Sequence, residues 1–496
     1  MTLSCILIFA SKNFMKIEQK QKIFEFIQDQ IANADFRIKA YVFDEAGKRR
    51  LGRNCFVKLS MHVQNFLHGK STVRWITMYG LRGAGKTTLL AQLYEQTKIE
   101  SKRKLFLSVD QAVGIFGVSL KDILDVYEES LGTQFERLTE PVFLFLDEVQ
   151  YDETWALLLK TIYDRTNKVF IVATGSSALS LQASPDVARR AIFEKIFPMS
   201  FTEYIKIKNQ KTEIKGLSHN LRETIFNSKD AHEVHTRLKG LEAKARHYWL
   251  DIERKEIDAY MQYGTLPFMI ALHNEAMVYD QIKKTLERVI SIDIPHINQF
   301  SAETISKIPM VLYTLAETDQ LSLSSLSDKG ELDISRPVLT SVLETLERTE
   351  TIWRIYPHGS HVTQTTRQPS KYLFTSPAFR SMYFNLVSST RTHDSYKGKI
   401  LEDTVGLYLN RIFSGKPDTS ITYDSAAGGA DFIIRQGKEM VVLEVGYGDK
   451  SFKQVVTTMA KNGVSARYGV VVSQSPLAVD ETKNAISIPL SYFLLL

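Results

Sequence analysis

Gly80-Leu-Arg-Gly-Ala-Gly-Lys86-Thr87 matches the spacing G-x-x-x-x-G-K-[ST] at every fixed position. Gly80, Gly83 and Gly85 let the backbone curl, so that successive N–H groups can point inward at phosphate oxygens. Lys86 sets a cation on the β and γ oxygens of a nucleoside triphosphate, and Thr87 offers its hydroxyl to Mg²⁺. A helix beginning there aims its positive end at the same phosphates. Arg82, Ala84 and Thr88 complete the segment expected to line ATP. Further along, the apolar run Val142–Leu146 ends in Asp147-Glu148. Asp147 is placed to hold Mg²⁺ through water, and Glu148 to polarise the attacking water as general base. An acidic pair after a strand is by itself usually the start of a solvated loop; the glycine loop upstream gives this one its meaning. A third run, Lys168–Ala173, ends in Thr174-Gly-Ser176-Ser177. A hydroxyl there, on Thr174 or Ser176, would sense the γ-phosphate or orient the water. Equally, Ser176 or Ser177 would cap the next helix. Arg189 and Arg190 are candidates to counter transition-state charge, in cis or across a subunit contact, with two solvated arginines as the plain alternative.

Such a loop works only between a strand and a helix, and the pattern supplies both. Val73–Tyr79 is strand-like, and the residues after Lys86 continue as an amphipathic helix. From there to about residue 205, short apolar runs (KLFLSVD, PVFLFLD, KVFIVAT and the stretch near FEKIF) alternate with helical segments. That alternation predicts a parallel sheet covered on both faces. Residues 16–34 and 54–69 carry helical spacing within an N-terminal helical segment, 1–72, ahead of a phosphate-loop core, 73–205. Residues 206–300 read as a helical insert. Residues 301–387 read as a compact three-helix unit with a strand pair, Trp353–Ile355 and Lys371–Thr375. A polar linker is expected at 388–399, followed from 400 to 496 by helix, strand, Gly-rich turn, strands, helix, strand and a final apolar segment, within a C-terminal domain, 393–496.

Composition narrows the class. The chain has 496 residues, 62 Lys+Arg against 56 Asp+Glu, 44% hydrophobic residues and 2 Cys. These proportions fit a packed globular chain rather than a disordered one. Cys5 and Cys55 cannot build a disulfide framework or a Cys-based zinc site, which suits a reducing cytosol. A net charge of +6 is too small to make the whole molecule a nucleic-acid binder. No apolar stretch is long enough to cross a membrane, and Met1–Ala10 lacks the basic start and cleavage site of a signal peptide. Met15 reads as a more natural beginning, leaving 1–14 as an artefact of the assigned start or a buried strand. The expected location is cytoplasmic. His232 and His235 stand three apart, not the four that a metalloprotease helix needs.

The chain resembles bacterial and archaeal P-loop ATPases that join an AAA-type core to a winged helix and a C-terminal domain related to restriction-endonuclease folds. The residues that carry this are GLRGAGKTTLL (80–90), FLFLDEVQYDETW (143–155), ATGSSALSL (173–181) and FPMSFTEYI (197–205). YGTLPFMIAL (263–272), KYLFTSPAFRSMYF (371–384) and IPLSYFLLL (488–496) are softer landmarks. The fold class implied is α/β: an additional-strand P-loop sheet, then a helical and winged-helix region, then an α/β endonuclease-like domain. The resemblance implies that Lys104–Val109 lies between the phosphate-loop strand and the Asp147-Glu148 strand. It also implies that Arg189 or Arg190 faces the nucleotide. In the C-terminal segment it singles out Glu402, Asp431 and Glu444 as the carboxylates of a Mg²⁺ nuclease. The lysine expected two residues after Glu444 is Gly446, which points to a degenerate site unless Lys450 or Lys453 reaches in.

Charge is unevenly spread over these segments. Residues 301–352 hold four basic and nine acidic residues, and the would-be recognition helix carries Glu344 and Glu347. An acidic reader is a poor partner for phosphates. The strand pair and its tip hold Arg354, Arg367, Lys371 and Arg380 with no acid, and residues 206–250 hold ten basic against five acidic. Weak nucleic-acid contact is therefore expected at the wing or the insert, beside a protein-partner or homo-oligomer role. The overall expectation is a Mg²⁺-dependent ATPase that binds ATP and ADP and couples nucleotide state to its C-terminal modules. The alternatives are an ATP-regulated DNA nuclease and a slow nucleotide switch in host defence.

Overall fold

The apolar runs of the first part of the chain become one sheet in the computed structural model, which describes residues 17–175, 185–272, 274–318, 332–359, 369–387 and 393–496. Residues 1–14, Ser176, Ser177 and Arg367, with the expectations attached to them, lie outside that set. Two compact units divide the chain: Met1–Gly80 with Gly85–Ile196, and Leu81–Ala84 with Phe197–Leu496.

In the first unit, helices α1 (Ile17–Val42) and α2 (Asn54–Leu67) precede β1 (Trp75–Tyr79) and α3 (Lys86–Gln96). Then come β2 (Lys104–Ser108), β3 (Val142–Asp147), α4 (Trp155–Arg165), β4 (Val169–Gly175) and β5 (Ile192–Lys195). The five strands are parallel, in the order β2-β3-β4-β1-β5. The strand between the phosphate-loop strand and the Asp147 strand is thus β4, not Lys104–Val109, which forms the outer edge. The reason is burial. Every residue of β4 is buried, as a central strand requires, whereas Phe106 and Ser108 on β2 are only half-buried. α1 is not part of a separate N-terminal segment. Its stripe of Ile23, Ile27, Ala34, Ile38 and Val42 is buried, and Ile23 and Ile27 belong to the core that also holds the β3 and β4 side chains.

In the second unit the segments expected as an insert, a winged helix and a separate C-terminal domain share one apolar core, running from Met199 to Leu496. Helices α5 (Ala231–Trp249), α6 (Ala302–Glu317) and α7 (Arg336–Arg348) precede β6 (Ile352–Pro357), β7 (Lys371–Phe374) and α8 (His393–Phe413). The stretch expected as a linker is helical from His393. The chain ends with β8 (Thr419–Tyr423), β9 (Phe432–Gln436), β10 (Glu439–Val445), β11 (Ala466–Ser473), β12 (Ala478–Asp480) and β13 (Ala485–Pro489). All join one mixed eight-stranded sheet, β12-β13-β11-β10-β9-β8-β6-β7, so the β6–β7 pair continues the C-terminal sheet instead of standing apart.

That continuity changes the wing's charge. Arg380 is buried, pairing with Asp403 at 2.5 Å and donating to the Leu315 and Ala316 carbonyls at 3.1 and 2.6 Å. Lys371 is buried too, between Glu402 and Asp431. Neither is available to a phosphate backbone, because Lys371 on β7 and Arg380 on the helix that follows it, Pro377–Val387, are both turned inward to acidic partners. On α7, burial pushes the Glu347 carboxyl up to about 7, against the pull of Arg354 on β6, so this acid faces the sheet. In the 206–250 segment Lys215, Lys239 and Lys244 are exposed, while Lys208 and Lys211 pair with Glu256 and Asp251.

Candidate functional site

The strand–loop–helix unit β1–α3 presents the phosphate loop. Gly80, Gly83 and Gly85 have φ of 139°, 84° and 92°, the left-handed region that glycine reaches without strain. At Gly80 a Cβ would also collide with the Ile196 carbonyl. Lys86 is buried, and its Nζ donates to the Gly80 carbonyl at 2.9 Å, which holds the ammonium across the mouth of its own loop. Thr88 sits half-buried in the first turn of α3. Leu81–Ala84 group with the second unit, and there Arg82 makes a two-bond pair with Asp293, at 2.9 and 2.8 Å.

Asp147 ends β3, a strand with no exposed residue. Thr87 Oγ1 donates to its Oδ2 at 2.8 Å, and Thr174 Oγ1 donates to its Oδ1. Burial and the neighbouring Glu148 charge push the Asp147 carboxyl up to about 6, against the two hydroxyl bonds and Lys86. Thr174, wholly buried at the end of β4, also accepts the Glu148 N–H at 3.1 Å. One hydroxyl therefore holds the Asp147 carboxylate and the Glu148 backbone. Glu148 is held at φ 54°, a conformation that costs a non-glycine residue on the order of 1 kcal/mol and recurs at functional sites. Gln150 Nε2 donates to Glu148 Oε2 at 2.5 Å, a contact that no motif spacing announces. Thr87 and Asp147 are an oxygen-only pair beside a buried cation, a donor set that fits Mg²⁺.

The structure does not bring Arg190 to this cluster. It pairs with Asp164 near the end of α4, at 2.7 and 2.9 Å. β5 begins at Ile192 in register with Ile76 near the start of β1, so Arg190 lies at the sheet edge opposite the strand ends that carry Gly80 and Asp147. Arg189 is exposed on the same turn. Both fall away from the phosphates because a parallel strand delivers its preceding residues to the amino edge.

Within the second unit, Glu402, Asp431 and Glu444 do line one open cavity of about 750 Å³. Lysines occupy the space between them. Lys371 Nζ lies 2.5 Å from Glu402 and 2.9 Å from Asp431, and Lys450 Nζ lies 2.8 Å from Glu444. The Asp431 N–H donates to Glu444 at 3.2 Å, and Val445 N–H to Asp431 at 2.9 Å. Burial opposes a charged Lys371, but Asp431 and Glu402 more than offset it and raise its pKa. Burial pushes Glu402 up to about 7 and Glu444 up to about 8. Among the described residues no group of three His, Cys, Asp or Glu is arranged to hold a metal ion. The donor set therefore does not fit Mg²⁺ here: a buried ammonium already bridges two of the three acids. Lys371 carried no sequence signal, being one basic residue opening an apolar strand. Lys450 does reach in, and Gly446 is the reason. A Cβ at 446 would lie 2.6 Å from Lys450 Cδ.

Residues 72–205 match the family described as AAA domain. An uncharacterised protein of Methanocaldococcus jannaschii is 37% identical over 428 residues, covering 85% of this chain and 84% of that one. A second uncharacterised protein of the same organism is 20% identical over 339 residues, covering 67% of this chain and 66% of that one. Among solved structures, a Walker-type ATPase of Pyrococcus abyssi aligns over 69% of this chain and 99% of its own, at 14% identity and a TM-score of 0.39. That superposition is too loose to carry any argument.

Gly446→Ala probes the lysine arrangement. With respect to Glu444, whose folded pKa is raised above 4.5, stability is fully present below pH 4.5 and is lost as the pH rises through about 8. Lys450 limits that loss. Displacing it is expected to lower stability by about 1–3 kcal/mol at pH 9, with little change at pH 5, as read from thermal unfolding midpoints at the two pH values.

Proposed function

Because the chain belongs to the same family as the 37%-identical M. jannaschii protein and carries an AAA domain, we propose that it is an ATP-binding, Mg²⁺-dependent ATP hydrolase. The observation that carries this reading is the chain of bonds from Thr87 through Asp147 and Thr174 to Glu148, directly behind a phosphate loop. Lys86 leaves the Gly80 carbonyl for the β and γ oxygens, and the amides of the loop bind the same phosphates. Thr87 and Asp147 hold Mg²⁺, which when bound neutralises charge on the outer phosphates. Glu148 orients a water in line with the γ-phosphorus and takes its proton as the new P–O bond forms and the bridging bond to ADP breaks. Its Oε2 is steadied by Gln150, and its backbone by Thr174, so the carboxylate meets the water already oriented. Product release returns the proton to solvent and the Lys86 ammonium to its carbonyl.

The second unit is read as the module that responds to nucleotide state, with the helices and strands from 301 to 387 as a winged helix of protein-binding rather than DNA-reading type. The C-terminal domain is read as an endonuclease-like fold that has lost cleavage. The buried Lys371 supports that reading, since it stands where a nuclease would need its ion.

Lys86→Ala is expected to abolish binding of a fluorescent ATP analogue. Glu148→Gln should keep that binding and slow phosphate release by about 10²–10⁴-fold; turnover at the wild-type rate would remove Glu148 as the base. Thr174→Val keeps side-chain volume but frees the Asp147 carboxylate and the Glu148 backbone, and is expected to slow turnover by about 10–100-fold while the ATP affinity changes less.

A further inference from the structure

A cavity of about 170 Å³ adjoins the Mg²⁺-binding pair within the first unit. Thr87 and Asp147 form one wall, with Ser108 and Gln111 near the end of β2. Phe26, Gln30, Arg37 and Tyr41 of α1 line it too. At 100° per residue these four positions fall within about 60° of one another, so they form a single stripe along the helix. The stripe runs beside the buried one of Ile23, Ile27, Ala34, Ile38 and Val42, which seats the helix on the sheet and α3. Phe26 packs on Phe116 with ring centres 5.1 Å apart, and Gln19 donates to the Phe116 carbonyl at 3.1 Å, so the register of the helix is set. Tyr41, on the same stripe of α1, lines the cavity together with Asp147.

Arg37 is the one Lys or Arg among the described residues lining this cavity. It is paired with Asp29 on its own helix, and both side chains remain well exposed, at 39% and 48%. An exposed pair of this kind is weak and readily exchanged. A guanidinium matches a phosphate at two points and does so better than a carboxylate partner left in water. Sequence reasoning looked for this cation at Arg189 and Arg190, which the sheet carries to its other edge.

We propose that Arg37 of the N-terminal helix binds the outer phosphates of ATP from the same chain, exchanging Asp29 for the γ-phosphate. This rests on the ATP-binding reading above. It makes the helix ahead of the AAA core a wall of the nucleotide site that distinguishes triphosphate from diphosphate. ADP lacks the group that Arg37 reaches, so the arginine returns to Asp29 once the γ-phosphate leaves.

The test is titration of the full-length protein with fluorescent ATP and ADP analogues in Mg²⁺, with steady-state phosphate release and thermal unfolding alongside. Arg37→Ala and Arg37→Gln should weaken ATP about 10–100-fold, leave ADP affinity and the unfolding midpoint as in wild type, and lower kcat. Arg37→Lys should recover part of the ATP preference, and Asp29→Asn should tighten ATP but not ADP. Lys22→Ala, which breaks an exposed pair with Glu18 on the same helix, should change nothing. A wild-type ratio of ATP to ADP affinity in both Arg37→Ala and Arg37→Gln overturns the proposal while leaving the ATPase reading intact. Equal loss of ATP and ADP binding in those variants also overturns it, because a merely structural helix would behave so. Absence of ATP binding by the wild-type protein, with Lys86→Ala indistinguishable from it, brings down both.

Discussion

Burying the Asp147 carboxylate at the end of a strand with no exposed residue constrains everything around it. An uncompensated charge in that position would cost several kcal/mol. Two hydroxyls and an ammonium oppose that cost: Lys86 and Thr87 come from the first turn of the phosphate-loop helix, and Thr174 from β4. Those requirements explain why β4 must lie beside β3 and why the phosphate-loop strand must follow it on the other side. They also explain why Glu148 is turned into a left-handed conformation, since its N–H is drawn to Thr174 as its side chain leaves the sheet.

Buried charge organises the second unit by the same physics, with a different outcome. Arg380 and Asp403 satisfy each other and, through the Phe374 N–H and the Leu315 and Ala316 carbonyls, tie a strand and three helices together. Lys371 does the same for Glu402 and Asp431. Lys371 opens β7 and Arg380 lies on the helix Pro377–Val387 just after it, in a segment that looked, in the sequence, like a basic wing open to solvent. Their burial removes much of that wing's attraction for a polyanion. The acidic cavity is a lysine-bridged cluster whose cations are supplied by the chain.

Much of the candidate site was legible in the residues alone. Lys86, Thr87, Asp147 and Glu148 are tied to local geometry: a glycine loop followed by a helix, and a strand that ends in acids. Short-range patterns of this kind need no knowledge of what packs against what. The strands and most helices were readable for the same reason, through apolar period and burial. Spatial order was not. Lys104–Ser108 and Val169–Gly175 both read as buried strands, and only the unbroken burial of β4 against the half-open face of β2 separates them.

What the sequence by itself determined is the chemistry available at each short motif, because glycine conformations, strand ends and helix starts are set within a few residues. Tertiary structure decided which distant groups share a site. Arg190 was carried to the amino edge of the sheet, and Arg37, from a helix with no motif at all, to a cavity beside Asp147. Lys371 went into the carboxylates and Lys450 into the space left by Gly446. Each of these placements depends on long-range packing, where one charged residue looks like another until the fold shows which partner lies within reach.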